Sequence, residues 1–271
     1  MMFKTILLSI FLSLAAMSAN AFTPTPMAKP NYEDFNVWLA DYKIRAAQAG
    51  IDANLMESAF KGQKPNSTII RLDRNQPHTK TTLDEYLARV VTPERIRTGK
   101  ALLEQNADLL NEIQAKYGVE KEFVVALWGL ETGYGTNTGG FSVINSLMTL
   151  SYDGRRREFF EKELLNALKI IQDGHVTEAE MIGSWAGAMG QCQFMPTSFF
   201  KYSVDYNGNG KRDIWNTKAD VFASISNYLA TVGWGKERKI KEKALLDWNK
   251  SDYFVASVFK LATGIGYGDN E

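Results

Sequence analysis

The chain has 271 residues with 31 basic and 31 acidic side chains, a balance that argues against a nucleic-acid binder, which is normally basic overall or on one face. Its one cysteine, Cys192, rules out an internal disulfide, and its two histidines, His78 and His175, are too far apart and too short of cysteine neighbours to suggest a zinc site. Stability is therefore expected from an ordinary apolar core.

Residues 1–21 read as a secretory signal peptide: Lys4, the apolar run Ile6–Met17 and then Ala19-Asn20-Ala21 place the mature start at Phe22. The run is too short to span a membrane comfortably, and no later stretch qualifies. Left uncleaved, it would act as an inner-membrane anchor. No cysteine follows it for lipid attachment, so a soluble periplasmic protein is expected, with 30 basic and 31 acidic residues after Lys4 is lost. The mature 250 residues suffice for one large domain or two small ones.

Phe22–Pro30, with three prolines, reads as a leader. Phe35, Val37, Trp38, Leu39 and Tyr42 recur at near-helical spacing up to Gly50, and Asp52 can cap a short second helix that stops at Gly62. Residues 62–80 mix Pro, Asn, Ser and charges around Ile69-Ile70 and predict an extended or looping surface segment. Thr82 and Glu85 spell a capping box. Thr92-Pro93 opens a long helix that Gly118 closes. Apolar residues from Val119 to Leu130 then predict a buried helix.

Helical patterns continue through Val143–Leu150 and Phe159–Ile171, and Thr177 with Glu180 forms a second capping box before Met181–Met189. A Gly/Asn-rich loop, a helix over Val221–Val232 and a final helix from about Asp252 to Thr263 complete the chain. No strand-like alternation persists, so the fold class is mainly α. The regions are a signal at 1–21, an N-terminal helical region at 22–118, a core at 119–235, and a short charged linker with a C-terminal helix at 236–271.

The chemistry centres on Trp128-Gly-Leu-Glu-Thr-Gly-Tyr-Gly135. Glu131 ends an apolar helix, and a carboxyl desolvated there would be held protonated, as a general acid must be. The octapeptide fits an exposed residue at a helix end equally well. Gly133 and Gly135 end the helix and leave room for a ligand to approach the backbone.

Arg155-Arg156-Arg157 at a helix start opposes the helix dipole, which suggests a bound anionic group as the alternative to a solvated face. In Ser184–Pro196, small residues alternate with Ser184, Gln191 and Gln193, which can bond hydroxyl or acetamido groups; close packing would explain the glycines but not both glutamines. Tyr86, Tyr134, Tyr228 and Trp248 are half-buried core or faces for a sugar ring.

Asp205, Asn207 and Asn209 fall at positions 1, 3 and 5 of an EF-hand-like loop, 205–216, with Gly210 at position 6 and Lys211 at position 7. Position 12 is Asn216 where a bidentate Glu is expected, and Asp220 would have to reach back. The choice lies between millimolar calcium and a metal-free Asx-rich turn.

Together these motifs resemble the membrane-bound lytic transglycosylase B family of peptidoglycan-cleaving enzymes. The resemblance runs from about Phe35, with Glu-Thr-x-Tyr-Gly, Arg-Arg-x-Glu-Phe-Phe, Ala-Gly-Ala-Met-Gly-x-x-Gln-Phe-Met-Pro and the calcium-like loop in the family's order. It implies a lysozyme-like helical catalytic core with additional N-terminal helices, and cleavage of the β-1,4 MurNAc–GlcNAc bond to leave a 1,6-anhydro end. Glu131 matches the single acid/base, Arg155 and Arg156 the muropeptide contacts, and Ser184, Gln193, Tyr86, Tyr228 and Asn249 the other substrate contacts.

No cofactor is implied for the chemistry, with weakly bound calcium as an accessory. The implied partners are glycan strands and, with them, other cell-wall enzymes. Three departures stand out: Trp248 replaces a cleft tyrosine, the stretch from Gly235 to Trp248 lacks a small β domain, and the lipid-attachment cysteine is missing. The competing functions are a hydrolytic muramidase, which would leave reducing ends, and a catalytically decayed peptidoglycan-binding or scaffold protein.

Overall fold

Side-chain caps set many of the helix starts. The computed structural model describes residues 32–75 and 81–268, so the signal and leader readings at 1–30, and His78, lie outside the described residues. Helix α1 (Tyr32–Gln48) turns at Gly50 into α2 (Ala53–Phe60), whose first amides donate to Asp52. Helix α3 (Ser67–Arg74) follows, where the sequence predicts an extended or looping segment. Asn66 Oδ1 accepts from the amides of Thr68 (2.9 Å) and Ile69 (3.4 Å), and Ile69, Ile70 and Asp73 share one buried helical face. Two short turns of helix gave too little periodicity to stand out among the polar residues.

Helix α4 (Leu83–Val90) starts with the reciprocal Thr82–Glu85 capping box. The long helix expected up to Gly118 is two helices, α5 (Pro93–Gln105) and α6 (Ala107–Tyr117). The break is at Asn106, whose side-chain amide donates to the Leu102 carbonyl at 2.7 Å, the local competition for backbone partners that makes Asn a poor interior residue.

Helix α7 (Lys121–Thr132) is buried on all sides from Phe123 to Leu130. A helix apolar all round must be wrapped by protein, and α5, α6, α11 and α13 pack against it. Each large apolar side chain buried in this way contributes roughly 1.5–3 kcal/mol relative to exposure.

Beyond α7 a two-residue strand β1 (Phe141–Ser142) leads into α8 (Val143–Asp153) and α9 (Arg157–Gln172), which pack on each other. The Thr177–Glu180 capping bonds form, yet Met181–Met189 is not a helix. The chain enters β2 (Ile182–Gly183), antiparallel to β1, and folds back so that the Ser184 amide donates to the Ala188 carbonyl at 2.8 Å. A Cβ at Gly183 would lie 2.1 Å from that carbonyl, so the reversal requires glycine.

Helices α10 (Pro196–Tyr202), α11 (Lys218–Thr231), α12 (Arg238–Trp248) and α13 (Asp252–Ile265) complete the chain. Helix α12 occupies the expected linker. Its Lys241 is buried, with Nζ 3.0 Å from Glu120 Oε1, donating to the Lys236 carbonyl at 2.7 Å, and lying over the rings of Phe123, Trp234 and Tyr267. One apolar cluster runs from Phe35 to Ile265.

Candidate active site

Glu131 lies in the last turn of α7, where the wrapping helices leave it partly exposed. Gly133 closes the helix in the left-handed conformation, and Gly135 also has positive φ. A Cβ on Gly135 would lie 2.3 Å from Gln191 Oε1, so this glycine accommodates a side chain of the protein rather than a ligand. Gln191 is likewise a brace: its Oε1 accepts from Trp128 Nε1 and its Nε2 donates to the Trp215 carbonyl, each at 2.7 Å. Tyr134 also acts within the fold, its hydroxyl donating to the Arg95 carbonyl at 2.7 Å.

The Glu131 carboxyl accepts a hydrogen bond from the indole Nε1 of Trp248 at 2.8 Å. Burial pushes its pKa up to about 7, and the Trp248 bond pulls the other way. Near neutral pH such a group can give a proton in one step and take one back in the next. Cys192 lies close enough that, after burial, the charge of Glu131 helps to raise the thiol pKa; the same two influences raise that of Tyr86, which lies within hydrogen-bonding reach of Ser257.

Trp248 extends the site into an aromatic wall. Its ring lies 4.6 Å from Tyr228 and 5.4 Å from Phe194, and Tyr202 is 4.2 Å from Tyr228. The Tyr228 hydroxyl donates to Asp247 Oδ1 at 2.9 Å. Gln193, adjoining Phe194, has φ 51° and donates from Nε2 to the Thr138 and Gly190 carbonyls, each at 3.0 Å, while its buried Oε1 has no partner among the described residues. Ser184 is buried, and its Oγ accepts the Ala188 amide at 3.0 Å. Asn249, also buried, is the residue at which α12 ends.

Arg155 and Arg156 precede α9 and meet the buried Asp73 of α3. Arg155 grips it through Nε (2.7 Å) and Nη2, and Arg156 through Nη2 at 3.0 Å. Arg156 stacks over Phe160 at 4.6 Å and buries Nε and Nη1 without hydrogen-bond partners among the described residues. The anion facing the arginine run is thus, in the first place, a carboxylate of the chain itself. Asp73 was hidden from sequence reasoning because it sits on the unforeseen α3. The indole bond to Glu131 was hidden because 117 residues separate its partners.

The 205–216 loop is closed by its own hydrogen bonds. Asp205 accepts the amides of Gly208, Asn209 and Gly210, Asn207 that of Asn209, and Asn209 that of Lys211. Buried Asp220 accepts the amides of Tyr206 and Asp213. Asn216 stands at the twelfth position, and Asp220, the carboxylate that would have to reach back, is held by those two amides.

The helices wrapped around α7, with Glu131 at its end beside an aromatic wall, make a mainly helical, lysozyme-like fold. The chain belongs to the transglycosylase SLT domain family, which it matches over residues 34–247. It is 32% identical over 197 residues to membrane-bound lytic murein transglycosylase B of Escherichia coli (strain K12), an alignment that covers 69% of this chain and 54% of that relative. It therefore matches about half of that relative's length. Among solved structures, Pseudomonas aeruginosa SltB3 in complex with NAG-anhNAM-pentapeptide superposes with a TM-score of 0.82 and 34% identity, covering 86% of this chain and 80% of that one. Soluble lytic transglycosylase SltB1 of the same organism shares the fold, with a TM-score of 0.79 at 23% identity over 84% and 98% of the two chains.

Proposed function

We propose that this protein is a peptidoglycan lytic transglycosylase that cleaves the β-1,4 MurNAc–GlcNAc bond and leaves a 1,6-anhydro-MurNAc end. The observation that carries the reading is Glu131: one carboxyl with a pKa of about 7, hydrogen-bonded to an indole and not to a second carboxylate. Two-carboxylate glycosidases place a second acid to activate water or attack the sugar. Here Asp247, the carboxylate beside the aromatic wall, accepts the Tyr228 hydroxyl.

Glu131 protonates the leaving oxygen as the glycosidic bond breaks, the substrate's N-acetyl group stabilises the cationic sugar, and the C6 hydroxyl closes the ring while returning its proton to Glu131. Proton balance needs no cofactor. Family membership and the SltB3 complexes with NAG-anhNAM- and NAG-NAM-pentapeptide support glycan strands as the substrate. Tyr86, Tyr228, Ser184, Gln193 and Asn249 are the proposed sugar contacts, and Arg155 and Arg156, neutralised in part by Asp73, the contacts to the peptide-bearing lactyl side.

Action in the periplasm after export follows from this substrate and from the signal-like residues 1–21; no helix among the described residues is long and apolar enough to cross a membrane. Mass spectrometry of digested sacculi tests the assignment. Anhydro-muropeptides are expected, whereas reducing ends alone would make the protein a muramidase, and binding without turnover a scaffold.

A further inference from the structure

We propose that Trp248 is a positioning residue whose indole N–H claims Oε1 of Glu131 and reserves Oε2 as the oxygen that carries and recovers the proton. The proposal rests on Glu131 being the acid/base of the reaction above. Its geometric basis is the 2.8 Å bond from Trp248 Nε1 to Glu131 Oε1. An indole nitrogen donates and cannot accept. In the neutral carboxyl the carbonyl oxygen is the better acceptor, so it faces Trp248 and the hydroxyl falls on Oε2. A phenol at this position could donate or accept and would not enforce the choice.

The indole is also held in place. Its ring packs against Tyr228 and Phe194. At the C-terminal end of α12, the Asn249 amide donates to the Leu245 carbonyl at 2.9 Å, and the Ser251 amide donates back to the Asn249 carbonyl at 2.7 Å before Ser251 caps α13. At the other end of α12, Lys241 is fixed on Glu120. The donor is therefore in position before substrate arrives, which is the condition for such a group to act in the transition state.

In the first step Oε2–H passes its proton to the leaving oxygen as the C1–O bond breaks, and the indole hydrogen bond becomes charge-assisted as the carboxylate forms. In the second, the C6 oxygen bonds to C1 and its proton goes to Oε2. The carboxyl ends as it began, and no other reactant is needed.

The test is the titration of the Glu131 side chain by ¹³C NMR in protein labelled at glutamate Cδ, assigned with Glu131→Gln, comparing wild type with Trp248→Phe. Hydrogen bonds to charged groups are worth roughly 1.5–3 kcal/mol, so Glu131 in Trp248→Phe is expected to titrate about 1 to 2 pH units higher. The alkaline limb of the turnover profile should move with it, and Trp248→Tyr should restore part of the difference. An unmoved titration in a folded Trp248→Phe protein overturns the proposal.

Should that variant not fold, the indole ¹H–¹⁵N resonance of Trp248 in the wild type takes its place. It should follow the Glu131 titration, and a resonance indifferent to it overturns the proposal. Neither titration uses substrate, so an absence of anhydro products from the wild type would sink the transglycosylase reading while leaving this result independent.

Discussion

Glu131 holds a proton that an exposed glutamate would already have lost. Below pH 4.5, native and unfolded chains both carry it. Between 4.5 and about 7 the native chain keeps it while the unfolded chain sheds it, so stability falls as pH rises, by up to about 3 kcal/mol above pH 7. Glu131→Gln removes this dependence. It should melt at a higher temperature than wild type at pH 8 and close to it at pH 4.5, while turnover falls by roughly 10²- to 10⁴-fold. Calorimetry at the two pH values, together with anhydro-muropeptide release, checks both halves. Wild-type turnover should also decline above pH 7, as the acid form is lost.

Glu131 stood out in the sequence because an acidic residue closing an apolar helix is rare. The brace made by Gln191 was not. A glutamine between Gly190 and Cys192 looks the same in sequence whether its amide meets a sugar or the Trp128 indole.

At the scale of elements, Asp73 ties α3 to the turn before α9 through Arg155 and Arg156. Asp73→Ala leaves two cations facing each other without their anion. Breaking a fully buried pair costs about 3–5 kcal/mol, and because Arg155 keeps solvent contact about 2–3 kcal/mol is expected here, measured by urea unfolding. Binding of muropeptide should weaken as well, because the arginines lose their orientation. The calcium-like loop makes the opposite prediction. Its twelfth position is Asn216 where a bidentate Glu would bind, so millimolar affinity limits stabilisation by 1 mM calcium to about 0.4 kcal/mol, and a melting scan with and without calcium should show a shift of about 1–2 °C at most.

Helices with strong caps or long apolar faces, such as α2, α4, α7 and α13, were readable from spacing alone. Helices α3 and α12 were not. Helix α3, as short as α2 and α4, shows only Ile69-Ile70 and Leu72 among polar and charged residues, and α12 hides its buried face behind Lys241, a cation that reads as surface until Glu120 and three aromatic rings are placed around it.

For the whole molecule, the continuous cluster from Phe35 to Ile265 argues that the N-terminal helices and the core unfold together. Coincident thermal transitions by near- and far-ultraviolet circular dichroism are expected, and two separated transitions would show that they fold as independent units.

Glu120, at the far end of α7 from Glu131, accepts Trp234 Nε1 on Oε2 at 2.7 Å and meets Lys241 Nζ through Oε1 at 3.0 Å. Residues 235–237 and the first turn of α12 thus form a bend whose two ends are clasped by one carboxylate. Foreign sequence spliced between Lys236 and Glu237 would add loop-closure entropy, about 0.6 kcal/mol for each doubling of length, provided the Lys236 carbonyl stays within reach of Lys241 Nζ. The clasp makes this turn a ready port for grafting a fluorescent reporter or a wall-targeting module without loosening the helix that delivers Trp248.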